Sequence, residues 1–304
     1  MRRHVDDAMT GPTVSIGKGA LRARIAVKGG QLLSLVPSWG GEVLWQGEAS
    51  VWPWHAPNLF PVVGAVAGDH LVHRGVRYPM EAHGFLRHCP MTLIERTDET
   101  ARFLLIDGEG TRPHYPFAFR LVLSFAIAGD RLIQSFLVEN PGREPLPVSL
   151  GGHPAFRWPM TPDGDRLAHR LIFAEPEAGP IRRVVRGGLG PEPFPTPVIG
   201  RVLPLDDRLF EMSAIVWDRL VSRTIWFGIP GGVGIEMRFD DFPHFGLWTR
   251  PGYPFLCLEP WQGHISPTGF DGELTDKPGI VKIAAGEKRQ WTFSIRPLRH
   301  MAEE

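Results

Sequence analysis

Three short segments of the chain set an ionisable side chain among glycine, proline and aromatic neighbours. They are Glu81-Ala82-His83-Gly84-Phe85-Leu86-Arg87, Leu150-Gly151-Gly152-His153-Pro154-Ala155-Phe156 and Cys257-Leu258-Glu259-Pro260-Trp261. Such neighbours mark tight turns or strand ends, where binding and catalytic groups concentrate. His153 lies between a glycine that admits close backbone approach and a proline that fixes the exit of the chain. Glu259 follows the apolar run 255–258, and a carboxylate ending a buried strand is costly to desolvate unless it is paired or used. His83 beside Gly84 fits a simple turn cap as well as a site group. Imidazole and carboxylate are side chains that trade protons near neutral pH once their surroundings tune them.

Other chemistries fit less well. His70, His73, His83, His88 and Cys89 offer nitrogen and sulfur donors within a short stretch, yet their spacing matches no zinc signature and no paired Cys-x2-Cys accompanies them. We therefore expect no metal. Gly29-Gly30 and Gly231-Gly232 lack the strand, glycine-rich turn and helix of a nucleotide-binding loop, so no cofactor is expected. The 10 tryptophans fit a core as readily as a sugar-binding cleft.

The elements that must position these groups read as strands. The 35 glycines and 30 prolines punctuate short apolar runs and disfavour long helices. Residues 21–27 alternate apolar and basic side chains. Residues 101–107, 119–126 and 131–138 are apolar or alternating, with Gly129-Asp130 as a hairpin loop between the last two. Further strands are expected at 225–227, 233–239, 255–258 and 291–295. Only residues 206–214 and a poor window near Ala49 read as helical. Many short strands and few helices predict an all-β chain, a large antiparallel β-sandwich. Residues 175–200, rich in Pro, Gly and Arg, read as a surface excursion. No repeat of fixed period is present, so residues 1–304 are expected to form a single domain, with 1–12 a flexible N-terminal segment.

Charge and cysteine content bound the setting. With 33 basic and 33 acidic residues the net charge is zero, which gives no electrostatic reason for a nucleic-acid or anionic-membrane partner. Cys89 and Cys257 are the only cysteines; one disulfide is arithmetically allowed, but sparse usage fits a reducing compartment better. No apolar stretch approaches a membrane span. Asp6 and Asp7 interrupt the N-terminal residues that a signal peptide would need apolar. A cytoplasmic protein is expected, a monomer or a homodimer.

Taken in order, further segments join the first three. They are Ala56-Pro57-Asn58-Leu59-Phe60-Pro61-Val62-Val63-Gly64, Tyr78-Pro79-Met80 running into Glu81, Tyr115-Pro116-Phe117-Ala118-Phe119, and Phe242-Pro243-His244-Phe245-Gly246-Leu247-Trp248-Thr249. Across residues 17–297 the chain resembles the aldose 1-epimerase (galactose mutarotase-like) family, in particular a bacterial subgroup. The resemblance implies a galactose mutarotase-like supersandwich with a cleft across one sheet. It implies interconversion of the α and β anomers of a free sugar by ring opening and closure, without a cofactor. Carried over by position, His153 is the general acid, Glu259 the general base and His83 a second site histidine; Asn58, Arg87, Trp248 and Trp261 are expected at the sugar.

The chain departs from that pattern at two places. Trp54 and Ala65 stand where relatives carry an arginine, and Ser213 where they carry an aspartate, so the sugar differs or is held differently. Arg87, Arg74 and Arg77 are candidates to replace the arginine. A hexose-6-phosphate 1-epimerase would need a phosphate site, for which Arg182, Arg183 and Arg186 are the nearest basic cluster. A sugar-binding module without catalysis would not need the acid–base set. A glycosidase would need two carboxylates flanking the scissile bond, for which Asp240 and Asp241 are present.

Overall fold

In the computed structural model, residues 11–302 are described. Most of the segment expected to be flexible, residues 1–12, therefore lies outside the described residues. Two large antiparallel sheets carry the fold. The first has nine strands in the order Val202–Pro204, Arg170–Phe173, Thr224–Gly228, Gly234–Arg238, Lys288–Leu298, Arg131–Glu139, Arg120–Ala128, Thr100–Ile106 and Thr92–Arg96. The second runs Gly188–Leu189, Arg182–Val185, Ile215–Trp217, His244–Trp248, Phe255–Gln262, Leu150–Gly152 and Asn58–Leu59, with Ala155–Arg157 also paired to Phe255–Gln262.

The core lies between them. Alternation along Arg120–Ala128 and Arg131–Glu139 turns Leu121, Leu123, Phe125, Leu132 and Phe136 inward. From the second sheet Leu256, Leu258, Phe245 and Leu247 join the same apolar cluster. Each such side chain fully buried contributes roughly 1.5–3 kcal/mol, so the sandwich is a stiff platform for whatever lies on its outer face. Two polar bridges cross it: Trp291 Nε1 donates to Gln262 Oε1 at 3.3 Å, and Gln134 donates to Asn58 Oδ1 at 2.6 Å.

The strand expectations hold, with 255–258 and 291–295 extended to Phe255–Gln262 and Lys288–Leu298, and 21–27 and 233–239 shortened to Leu21–Ala26 and Gly234–Arg238. The Gly129-Asp130 turn joins Arg120–Ala128 to Arg131–Glu139 as a hairpin. The run 255–258 continues to Gln262, so Glu259 is inside a strand rather than at its end. Helical windows contract: 206–214 holds only a 3-10 turn at Asp207–Phe210, capped by Asp206 accepting from Arg208 N, and Ala49 sits in a turn closed by a Glu48–Trp52 bridge. Residues 175–200 are not merely a surface excursion, for Arg182–Val185 and Gly188–Leu189 form the edge of the second sheet. Both cysteines are free. Among the described residues no helix is long and apolar enough to cross a membrane.

Candidate active site

The outer face of the second sheet brings the three segments together through strand register. Ala155 lies opposite Cys257, and Gly151 opposite Trp261. The two short strands thus keep one register along Phe255–Gln262, and the same register sets residue 153, in the break between them, opposite residue 259. On its other side Glu259 faces Gly246. Side chains directly across a pleated sheet share a face, and His153 Nε2 lies 3.1 Å from Glu259 Oε2. The Leu258 N–H donates to Pro154 O across the break, which pins the loop that carries His153.

Both members of the pair are buried, His153 to 6% and Glu259 to 2% exposure. Burial disfavours their charged forms. It lowers the His153 imidazole to about 3 and lifts the Glu259 carboxyl well above 4.5, with the Trp261 indole opposing the latter shift. The pair therefore holds one proton over a wide pH range, and burial alone leaves it on Glu259. Coupled groups of this kind titrate as a unit.

His83 is added from a separate turn. Its backbone is left-handed, φ 68, and it is followed by Gly84 at φ 73. A Cβ on Gly84 would fall 2.1 Å from Phe60 O, so glycine is required for the turn to pack on the Asn58–Leu59 segment. The Gly64 N–H donates to His83 Nδ1 at 3.2 Å. That bond makes Nδ1 the acceptor and leaves the proton on Nε2. Burial and the neighbouring His153 keep the ring neutral, and the two imidazoles meet edge to face at 5.3 Å.

Aromatic side chains wall the pair. Trp52 stacks on His153 at 5.2 Å and on Phe255 at 5.4 Å, and Trp248 meets Trp52 edge-on at 5.7 Å. Arg87 sits over the Trp54 ring at 5.3 Å, donates to Ala82 O, and lies 3.6 Å from Glu81. Its charge reaches both His83 and His153.

Of the expected site residues, His153, Glu259, His83, Arg87 and Trp248 are brought together. Trp261 is buried, with its ring lying over Gly246, where a Cβ would fall 2.4 Å from it, and it packs in an apolar cluster with Leu59, Val216 and Ile265 rather than presenting an open platform. Asn58 is a correction. Its amide donates to Gly29 O and Gly30 O and its oxygen accepts from Gln134, so it ties the sheets together from the inner face. Trp52 was not singled out in the sequence, because nothing local links it to a histidine a hundred residues away.

The replaced positions are also placed. Ala65 accepts from Ser266 N next to the turn that holds His83. Ser213 is exposed with φ 74, and its carbonyl accepts from Arg183. Arg74 pairs with Glu144 on an exposed hairpin that also carries Arg77, leaving Arg87 as the one of the three candidates beside the histidines. Arg182 is held by Asp218 and Gly190 O, and Arg183 by Leu209 O, so the fold already uses two of the three arginines suggested for a phosphate. His70, His73, His88 and Cys89 do not converge. Among the described residues the sole group of three metal-type donors is His153, Cys257 and Glu259.

Comparison with known proteins identifies the family and agrees with the fold. Residues 12–174 match the family model described as aldose 1-epimerase. Two forms of the protein LacX from Lactococcus lactis subsp. lactis, plasmid and chromosomal, are each 31% identical over 294 residues, 93% of this chain and 98% of theirs. Among solved structures, a galactose mutarotase related enzyme from Lactobacillus acidophilus aligns with a TM-score of 0.87 at 25% identity, over 96% of this chain and 100% of that one. A galactose mutarotase-like protein from Lactobacillus casei aligns with a TM-score of 0.88 at 25% identity, over 94% and 100%.

Proposed function

The chain belongs to the aldose 1-epimerase family, and from that premise we propose that it interconverts the α and β anomers of a free aldose, with His153 as general acid and Glu259 as general base. The observation that carries the reading is the buried 3.1 Å approach of His153 Nε2 to Glu259 Oε2 beneath an aromatic wall.

The chemistry follows from one shared proton. In the sugar complex the pair starts as imidazolium and carboxylate, with sugar hydroxyls hydrogen-bonded to the charged groups and offsetting their burial. Glu259 takes the proton of the anomeric hydroxyl while His153 gives its proton to the ring oxygen. The bond between C1 and the ring oxygen breaks, and C1 becomes a carbonyl. Both groups are now neutral, the state their burial favours, so desolvation works in the direction of ring opening. Rotation about C1–C2 and closure on the other carbonyl face return both protons. His83, with its proton on Nε2, supplies a neutral hydrogen bond to charge developing on a sugar oxygen. Trp52 keeps bulk water off His153 and Trp248 offers an apolar face to the sugar ring. Arg87 takes the place of the arginine lost at Trp54 and Ala65. Two free cysteines fit a reducing cytoplasm.

Polarimetry of freshly dissolved α-D-glucose, α-D-galactose and their 6-phosphates tests the reading. Acceleration of mutarotation by the protein and its loss in Glu259→Gln are expected for at least one free sugar. No acceleration with any of them would remove the epimerase proposal for these substrates. Acceleration only with the 6-phosphates would replace the free aldose with a phosphorylated one.

A further inference from the structure

Cys257 is the neighbour of the acid–base pair that the mechanism leaves idle. It precedes Glu259 by two positions on the fully buried Phe255–Gln262 strand, so its thiol rises from the same face. Ala155 opposite it carries only a methyl group, while the space over Gly246, opposite Glu259, is taken by the Trp261 ring. The donor atoms of His153, Cys257 and Glu259 lie within 4.8 Å of one another. Glu259 Oε2 is buried without a hydrogen-bond partner among the described residues, although His153 Nε2 is only 3.1 Å away.

From this geometry we propose that His153 Nε2, Cys257 Sγ and a Glu259 carboxylate oxygen form a site for one thiophilic divalent cation, best matched by Zn2+, whose binding blocks the acid–base pair. Zinc bonds sulfur at about 2.3 Å and imidazole nitrogen at about 2.0–2.1 Å, in a tetrahedron. Donors of such a tetrahedron sit roughly 3.3–3.6 Å apart by that geometry. The nitrogen–oxygen pair, at 3.1 Å, needs to open by a few tenths of an ångström, and the sulfur needs a shift of about 1 Å by the same geometry. Three protein donors, with the fourth position of the tetrahedron left to an exogenous ligand, is the arrangement of zinc sites that exchange ligands with solvent. The sulfur selects soft ions over Mg2+ or Ca2+, which prefer oxygen. Neutral imidazole, favoured at His153 by burial, is the form that ligates.

Proton balance sets the pH dependence. The ion displaces the Cys257 thiol proton and the one proton shared by His153 and Glu259, both of which pass to solvent. Burial and the Glu259 charge hold the Cys257 thiol well above 9 without metal, so affinity rises with pH. The site rests on geometry alone, whereas its inhibitory effect rests on the epimerase reading.

Titration of the full chain with Co2+ under reducing conditions tests the site through the near-ultraviolet charge-transfer band of a cobalt–thiolate bond. The band is expected in the wild type and in Cys89→Ala, to be lost in Cys257→Ala and in the isosteric Cys257→Ser, and to be displaced by Zn2+. A band that persists in both Cys257 variants, or none in the wild type at saturating Co2+, overturns the site. In the mutarotation assay Zn2+ should slow the wild type but not Cys257→Ala, whose metal-free rate should match the wild type. Equal slowing of both would overturn inhibition through this site. If metal-free wild type shows no mutarotation, the epimerase reading fails while the absorbance band still decides the metal site.

Discussion

Glu259 occupies a position where every neighbour along the strand is buried, and a lone carboxyl there would be a defect. Its partner is His153, and the pair is stable because one proton serves both groups. General acid–base groups contribute typically 10²–10⁴-fold, so Glu259→Gln and His153→Ala are each expected to lower mutarotation kcat by about a hundredfold or more. A rate within a few-fold of wild type in either variant would remove that residue from the chemistry. In the proposed mechanism the pair is active while it holds one proton. Its acid limit is the lowered imidazole, about 3, rather than 6.5, and its alkaline limit is the raised carboxyl. The kcat/KM profile should therefore show no acid limb centred at 6.5; such a limb would mean that His153 is open to water. That His83, His153 and Glu259 meet in the fold was hinted at by the glycine, proline and aromatic neighbours that crowd each one, whereas their roles were implied only by the family resemblance. Asn58 misled for the same reason. It lies in a conspicuous motif, but its side chain points to the inner face, and a motif does not reveal which face a side chain takes.

Elements were legible in proportion to their one-sidedness. Arg131–Glu139 alternates buried and part-exposed positions, and its extent was read to within a residue. Phe255–Gln262 is buried on both faces, so it has no alternation to read, and Pro260 looked like a terminator. Proline is tolerated there because position 260 falls at the break between the Leu150–Gly152 and Ala155–Arg157 strands, where the ladder on that side is already interrupted. The same break holds His153, so the placement of the proposed acid and the strand irregularity have one cause. The site also depends on the opposite neighbour. In Gly246→Ala the new Cβ would meet the Trp261 ring at 2.4 Å, pushing it toward Glu259. Overpacking of this kind costs about 1–3 kcal/mol, and a 1 Å misplacement of a catalytic group costs about a hundredfold in rate. Gly246→Ala should remain folded by thermal unfolding while its kcat falls by about that factor; an unchanged kcat would show that Glu259 is positioned without this strand.

The whole molecule carries several histidines held neutral by burial, and this sets how its stability responds to acid. Their effect could not be foreseen from the sequence, since a histidine's titration depends on packing partners brought from distant strands. Desolvation lowers His55 and His244 to about 4 and His153 to about 3, against 6.5 in an unfolded chain. Between 6.5 and about 4 the unfolded chain binds protons at these three positions that the native fold excludes, so stability falls as pH falls through that window. Glu259 acts in the opposite sense. Its raised folded pKa means the native state keeps a proton that the unfolded chain has released above 4.5, so its contribution is present at low pH and is lost as pH rises. One carboxyl offsets one imidazole, and His153 and Glu259 nearly cancel as a pair. His55 and His244 remain, joined by His83, His169 and His264, which burial also lowers, and together they set the net sign. The urea midpoint should therefore drop on acidification from 6.5 toward 4.5. The slope should be shallower in His244→Gln, which removes one of the uncompensated protons. A midpoint that rises on acidification, or a slope unchanged by that substitution, would show that these imidazoles are already charged in the fold and that the interior is wetter than the packing implies.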